Sequence, residues 1–143
     1  MKKGYISAEI RILSNLIRRK TFDNDCLNEI GVILGSQGYI IKYLSENLNS
    51  DIYQKDIEKK FKIRRSTVTS ALNRMEKAEF IKRESVEFDN RLKKITLTEK
   101  GLSVHRYIEN RINEIEKDLE NSLSKEEMDK FFSIIKKLQA VVE

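Results

Sequence analysis

Apolar residues recur along this chain at the three- and four-residue spacing of amphipathic helices. Residues 6–20 predict a first helix, and its apolar face carries Ile6, Ile10, Leu13, Leu16 and Ile17. Residues 36–47 and 54–61 predict two shorter helices. Between the first two we expect a loop, with one helical turn near residues 26–30, because acids and glycines interrupt the periodicity there.

Residues 65–77 predict a helix with one apolar face and one polar face. The apolar positions follow the i, i+3, i+4, i+7 pattern and are Val68, Ala71, Leu72 and Met75. The opposite face carries Ser66, Ser70, Asn73 and Lys77, flanked by Thr67, Thr69 and Arg74. A merely solvated helix more often carries Glu/Lys pairs, so this composition indicates a binding face.

Two strands are predicted after this helix, at residues 80–88 and 93–98. Ile95 and Leu97 alternate with polar residues, which is typical of a strand with one buried face. Asp89 and Asn90 are residues that favour a turn, so we place the hairpin turn there, with Arg91 at its tip.

Two long helices are predicted to close the chain. Thr98 is a candidate N-cap for a helix over residues 99–122, and residues 124–127 form a capping box for the last one. Both carry seam-like apolar stripes, so we expect them to cover each other and, with the first helix, to bind a second copy. The expected interface comprises Ile10, Leu13, Ile17, Ile108, Ile112, Ile115, Leu119, Phe131, Ile135 and Leu138.

Positive charge is concentrated in residues 53–98. This stretch holds thirteen Lys/Arg and seven Asp/Glu, whereas the remainder of the chain holds fifteen and sixteen. Because the net charge of +5 arises from one stretch, the pattern indicates affinity for a polyanion rather than general basicity.

Composition limits the number of domains and the classes of protein that the chain could belong to. The length predicts one domain over residues 1–143, and the single cysteine, Cys26, excludes an internal disulfide framework. No apolar run approaches the length of a membrane span and no signal peptide is evident, so we expect a cytoplasmic protein. No catalytic set, metal-spaced cluster or glycine-rich phosphate loop is present, so we expect no enzyme, metal or cofactor.

Two segments resemble the MarR family of transcriptional regulators. DNRLKKITLTEKG, residues 89–101, is similar to the family's wing pattern, and residues 54–83 resemble its helix-turn-helix. The resemblance implies a mainly α fold with a small β-wing, a winged helix-turn-helix dimerised through its N- and C-terminal helices. Residues 36–98 would form the DNA-binding region, and residues 5–30 and 99–143 the dimerisation helices.

The resemblance also implies a function. Family members are homodimers that bind pseudo-palindromic operators in double-stranded DNA, usually as repressors, and many release DNA on binding a phenolic or lipophilic small molecule. Tyr39 and Tyr43 are candidates for such an effector pocket, although core packing is the favoured role for both. One departure is Glu79, which stands where the family places glycine at the end of the recognition helix.

Twelve residues are predicted to contact DNA. Small polar side chains let a helix backbone approach base edges, arginines reach bases or phosphates, and a wing arginine suits a narrow minor groove. The set is Lys55, Arg64, Arg65, Ser66, Thr67, Thr69, Ser70, Asn73, Arg74, Arg91, Lys93 and Lys94. By resemblance, Asp89 orients the wing arginine.

Simpler interpretations remain open at this point. Lys93 and Lys94 also fit a solvated edge strand. Asp89 and Arg91 could form a plain ion pair in a turn. Cys26 could be an inert thiol. The alternative function is a winged-helix module that binds protein and no DNA.

Overall fold

The computed structural model describes residues 4–22 and 37–143. The predicted loop, its helical turn and Cys26 lie outside the described residues. Within them the elements are α1 (Ile6–Thr21), α2 (Gln37–Glu46), α3 (Gln54–Phe61), α4 (Arg65–Lys77), β1 (Ile81–Val86), β2 (Asp89–Leu97), α5 (Glu99–Asn121) and α6 (Lys125–Val142). These helix bounds agree with the sequence pattern to within a residue, since burial of one face sets helical periodicity. None of these described helices is long and apolar enough to cross a membrane.

α3 and α4 form a helix-turn-helix. The carboxylate of Asp56 accepts the backbone N–H of Tyr53 at 2.8 Å, which caps the start of α3. Lys62 takes a left-handed conformation, φ 52°, and turns the chain into α4. The periodic face of α4 is buried as predicted, against one core that also includes Ile57 and Ile95.

α4 ends in a Schellman motif. The N–H of Phe80 reaches the carbonyl of Met75, and the N–H of Glu79 reaches that of Glu76, both at 2.9 Å. Glu79 adopts the left-handed conformation, φ 64°, that this motif requires. The absent glycine therefore does not change how the helix ends.

β1 and β2 form an antiparallel two-stranded wing, and the predicted hairpin turn is wrong. The turn is Glu87–Phe88, because Val86 pairs with Asp89, and β2 begins at Asp89 rather than at Lys93. The register then shifts, so that Ser85 pairs with Lys93 and residues 90–92 face no partner on β1. Arg91 accordingly lies in a bulge of β2 and not at the hairpin tip.

α5 starts against the end of α4. The Thr98 hydroxyl accepts the N–H of Gly101 at 3.0 Å, which confirms the predicted cap, and donates to the carbonyl of Glu79. A Cβ on Gly101 would lie 2.1 Å from the carbonyl oxygen of Phe80, so only glycine fits this approach without displacement.

α5 then packs against α2 and α1, and here part of the predicted dimer seam is wrong. Ile108 and Ile112 are buried in the core of the single chain, at 0% and 3% exposure, and so face no partner. At these two positions the heptad-type spacing reflects burial within the protomer and not contact with a second copy.

α6 stands apart from the core. Its capping box is formed as predicted: the N–H of Glu127 donates to the Ser124 hydroxyl, and the Glu127 carboxylate accepts the N–H of Ser124. The expected mutual covering of α5 and α6 is absent, since α6 contains no buried residue in the described part of the chain. Its apolar stripes therefore remain available to another surface.

Candidate nucleic-acid interface

The polar face of α4 is exposed, as its sequence predicts. Six of its predicted DNA-contacting residues are exposed, namely Arg65, Ser66, Thr67, Ser70, Asn73 and Arg74, and so is Arg64, which precedes the helix. Thr69 differs: it is half-buried, and its hydroxyl accepts a hydrogen bond from Gln54 Nε2 at 2.8 Å. Thr69 therefore ties α4 to α3 instead of standing free on the exposed face.

A basic groove runs between α3, the start of α4 and the wing. Its volume is about 250 Å³, and its lining includes the predicted residues Lys55, Arg65, Arg91 and Lys93. Glu58 is the single acid in that lining, beside five cations. Cations from three separate elements thus face one concave surface, the arrangement that concentrates positive potential.

The fifth cation of the groove, Arg83, was missed from the sequence. It lies on β1, and its Nε donates to Glu76 Oε2 at 2.9 Å while its Nη2 donates to Glu76 Oε1 at 3.1 Å. The same Nη2 donates to Asn73 Oδ1 at 2.7 Å. Glu76 is the only acid within α4, and this could have indicated from the sequence that a cationic residue pairs with it.

The Arg83–Glu76 pair alters the titration of both groups. Hydrogen bonding to Arg83, assisted by its charge, holds the pKa of the Glu76 carboxyl below its ordinary value despite partial burial. The same bond raises the pKa of Arg83. The wing is therefore joined to α4 by an ion pair that persists across neutral pH.

Arg91 projects from the bulge of the wing and is 92% exposed. Asp89 Oδ1 accepts the backbone N–H of Arg91 at 2.9 Å and lies 3.4 Å from its Nε. Such contacts orient the arginine without covering it. Beside it, Lys93 Nζ donates to the Ser85 hydroxyl at 2.7 Å and lines the groove.

Lys94 does not join this groove. Its ammonium lies 2.8 Å from Asp51 Oδ1, and this bond raises its pKa. Neighbouring residues of a strand point to opposite faces, so Lys93 and Lys94 diverge. A contact between Lys94 and DNA stays a prediction, and this arrangement does not favour it, because the ammonium is paired with Asp51 on the other face of the wing.

A second, apolar groove of about 460 Å³ lies between α1, α2 and α6. Its lining includes the predicted interface residues Ile10, Leu13, Ile17, Phe131 and Ile135. Tyr39 also lines it, and burial together with the charge of Glu116 raises the pKa of its hydroxyl. Tyr43 does not: its ring packs edge-on against Phe61, with ring centroids 5.9 Å apart. Tyr43 is partly buried and packs against the core, which agrees with the role favoured for it from the sequence.

Solved structures resemble the chain over its whole length. The S. aureus MepR–DNA complex superposes with a TM-score of 0.85 at 25% identity, covering 99% of this chain and 100% of that one. S. aureus MepR in its DNA-binding conformation gives 0.81 at 25% identity, covering 98% and 100%. The transcription regulator MarR from Oenococcus oeni PSU-1 gives 0.71 at 27% identity, covering 94% and 96%. No curated protein sequence matches the chain.

The helix-turn-helix, the antiparallel wing and the basic groove beside them define a winged-helix protein. Residues 44–93, which span α3, α4, β1 and the first part of β2, match the model of the MarR family. This match and the similarity to MepR and MarR support a winged-helix transcription regulator of the MarR type.

Proposed function

We propose that this regulator binds an operator in double-stranded DNA as a homodimer and represses transcription from it. The basic groove carries the proposal, because predicted DNA contacts from α3, α4 and the wing converge on it. The solved complex of MepR with DNA, to which this chain is similar, supports DNA binding.

In this proposal α4 enters the major groove, which accommodates an α-helix. Ser66 and Ser70 let the backbone approach the base edges, and Arg65 and Arg74 extend to guanine or to phosphates. Arg91 reaches the adjacent minor groove, where narrow A·T-rich segments attract arginine. Four further predicted contacts, Lys55, Arg64, Thr67 and Lys93, position the protein on the sugar–phosphate backbone.

Dimerisation follows from the apolar side chains that α1 and α6 leave exposed. Ile10, Leu13, Phe131 and Phe132 are between 42% and 56% exposed, and large exposed apolar patches mark interaction sites. Ile17, Ile115, Leu119, Ile135 and Leu138 are half-buried and border the same helices. A two-fold dimer repeats the basic groove, so its operator is pseudo-palindromic.

The apolar groove is the proposed effector site. Its volume falls within the range of small-molecule pockets, and its wall is mostly hydrophobic. Tyr39 and Arg18 supply the polar groups in it that suit a phenolic or lipophilic anion. Because α1 and α6 line this site and also form the proposed interface, an occupant would bias the dimer geometry and release the DNA.

The proposal is tested by selecting bound sequences from random duplexes and measuring operator affinity against salt. Arg91→Ala is expected to weaken binding roughly tenfold and to reduce the salt slope by about one. Its melting temperature should equal that of the wild type, since the side chain is 92% exposed. Arg106→Ala, an exposed arginine of α5 outside the groove, is the matched control and should change neither quantity.

Failure to enrich any sequence would overturn the proposal and favour the alternative, a winged-helix module that binds protein. If a site is enriched and Arg91→Ala binds it with unchanged affinity, the wing arginine does not contribute to DNA binding.

A further inference from the structure

We propose that Arg83 fixes the side-chain amide of Asn73 so that it offers DNA only hydrogen-bond donors, and that Asn73 thereby selects guanine. The inference rests on the proposed function and adds to it one rule of sequence preference. Asn73 lies on the exposed face of α4 that enters the major groove in that proposal.

Three contacts hold the side chains in place. Arg83 Nη2 donates to Asn73 Oδ1 at 2.7 Å, and the same guanidinium grips both oxygens of Glu76. Asn73 and Glu76 lie one turn apart on α4, so a single arginine of β1 spans both. Because the Glu76 carboxylate accepts from two nitrogens of the guanidinium, the N–H group that donates to Asn73 is itself held in position.

The chemistry of arginine determines which end of the amide faces it. A guanidinium carries five N–H donors and no acceptor, so the atom of Asn73 that contacts it must be the carbonyl oxygen. The amino group, with its two hydrogens, is then the end left for DNA. An amide on a solvated helix would instead exchange its two ends freely.

This orientation changes the base that asparagine prefers. An asparagine pairs with adenine by donating to N7 and accepting from N6, which requires both ends of the amide. Here adenine N6 would share the oxygen with a positively charged donor already 2.7 Å from it. Guanine presents two acceptors, N7 and O6, in the major groove, and so matches an amino group.

The test compares the bases selected by the wild type and two variants from random duplexes. We expect one half-site position at which the wild type favours guanine about tenfold or more. Asn73→Asp keeps an acceptor toward Arg83 but removes the donors, so guanine preference should vanish and cytosine, a donor through N4, should rise. Arg83→Met frees the oxygen, so adenine should rise at the same position.

Lys82→Met is the matched control, because it removes a positive charge from the neighbouring, exposed position of β1. It should change no base preference, because Lys82 lies on the opposite face of β1 from Arg83. Thermal melts establish that each variant is folded, and Asn73→Asp alone suffices if Arg83→Met does not fold.

The outcomes separate the inference from the proposed function. Adenine at the affected position in the wild type, or a position unchanged in Asn73→Asp, would overturn the inference while specific binding stands. Guanine preference unchanged in a folded Arg83→Met would also overturn it. If the wild type selects no sequence at all, both the proposed DNA-binding function and this inference are wrong.

Discussion

At the scale of single residues, Glu79 holds a conformation that costs it energy. A non-glycine residue in the left-handed region loses about 1–2 kcal/mol relative to its ordinary conformations. The Schellman hydrogen bonds of Phe80 and Glu79 hold it there nevertheless. The sequence shows that glycine is absent here, but the way the helix ends depends on these hydrogen bonds.

Glu79→Gly is expected to stabilise the protein by about 1 kcal/mol, because relief of the strain exceeds the added freedom of glycine in the unfolded chain. Chemical denaturation measures this change. Ala78→Gly is the control, since Ala78 is in the right-handed region and glycine there should destabilise the fold. A decrease in stability for Glu79→Gly would show that its backbone is not strained.

The Glu76–Arg83 ion pair predicts a pH dependence. Glu76 has a lowered pKa, so its contribution to stability is complete above the ordinary glutamate pKa and is lost as pH falls through the lowered value. The difference in stability between wild type and Glu76→Gln should therefore be constant near neutral pH and shrink as the pH falls below the ordinary glutamate pKa. Denaturation curves across that range measure it, and a difference that grows on acidification would contradict it.

At the scale of elements, periodicity predicted the buried faces of the helices but not the register of the two strands. The buried face of α4 follows from its own spacing, so Val68, Ala71, Leu72 and Met75 were predictable. The hairpin turn was not, because Asp89 and Asn90 favour turns locally whereas the strand register places the turn at Glu87–Phe88. Register also determines that Lys93 and Lys94 diverge, and that Arg83 reaches α4.

The junction between α4 and α5 depends on Gly101. Gly101→Ala should destabilise the fold by about 1–3 kcal/mol, because its Cβ would lie 2.1 Å from a backbone oxygen that cannot rotate away. Ser103→Ala, an exposed position of the same helix, should change stability by less than about 0.5 kcal/mol. Thermal melts compare the two variants, and equal melting temperatures would contradict this close approach.

At the scale of the whole molecule, the amphipathic pattern predicted which helices carry apolar faces but not where each face lies. Ile108 and Ile112 satisfy the seam spacing and are buried within one chain, whereas Phe131 satisfies it and is exposed. Spacing alone cannot distinguish a face that covers its own core from one left for a partner. That distinction depends on how far α6 lies from α5.

Phe132→Asp is expected to raise the Kd of the proposed homodimer roughly 100-fold or more, because it places a charge in an apolar interface. Each protomer should remain folded, since Phe132 is 56% exposed. Light scattering over a range of concentrations measures the mass. Phe88→Asp, at the exposed turn of the wing, is the control and should leave the dimer intact. An unchanged mass for Phe132→Asp would place the interface elsewhere.

The contact of Thr98 and Gly101 with the end of α4 also acts as a pivot. The Thr98 hydroxyl bonds the first turn of α5 and the carbonyl of Glu79, so the angle between these two helices is set within a few residues. α5 has 23 residues and is therefore about 35 Å long. A rotation of about 5° at the pivot moves its far end by about 3 Å, close to the rise of one base pair. In the proposed dimer, a small adjustment here would therefore move each α4 by about one base-pair step relative to the far end of its own α5.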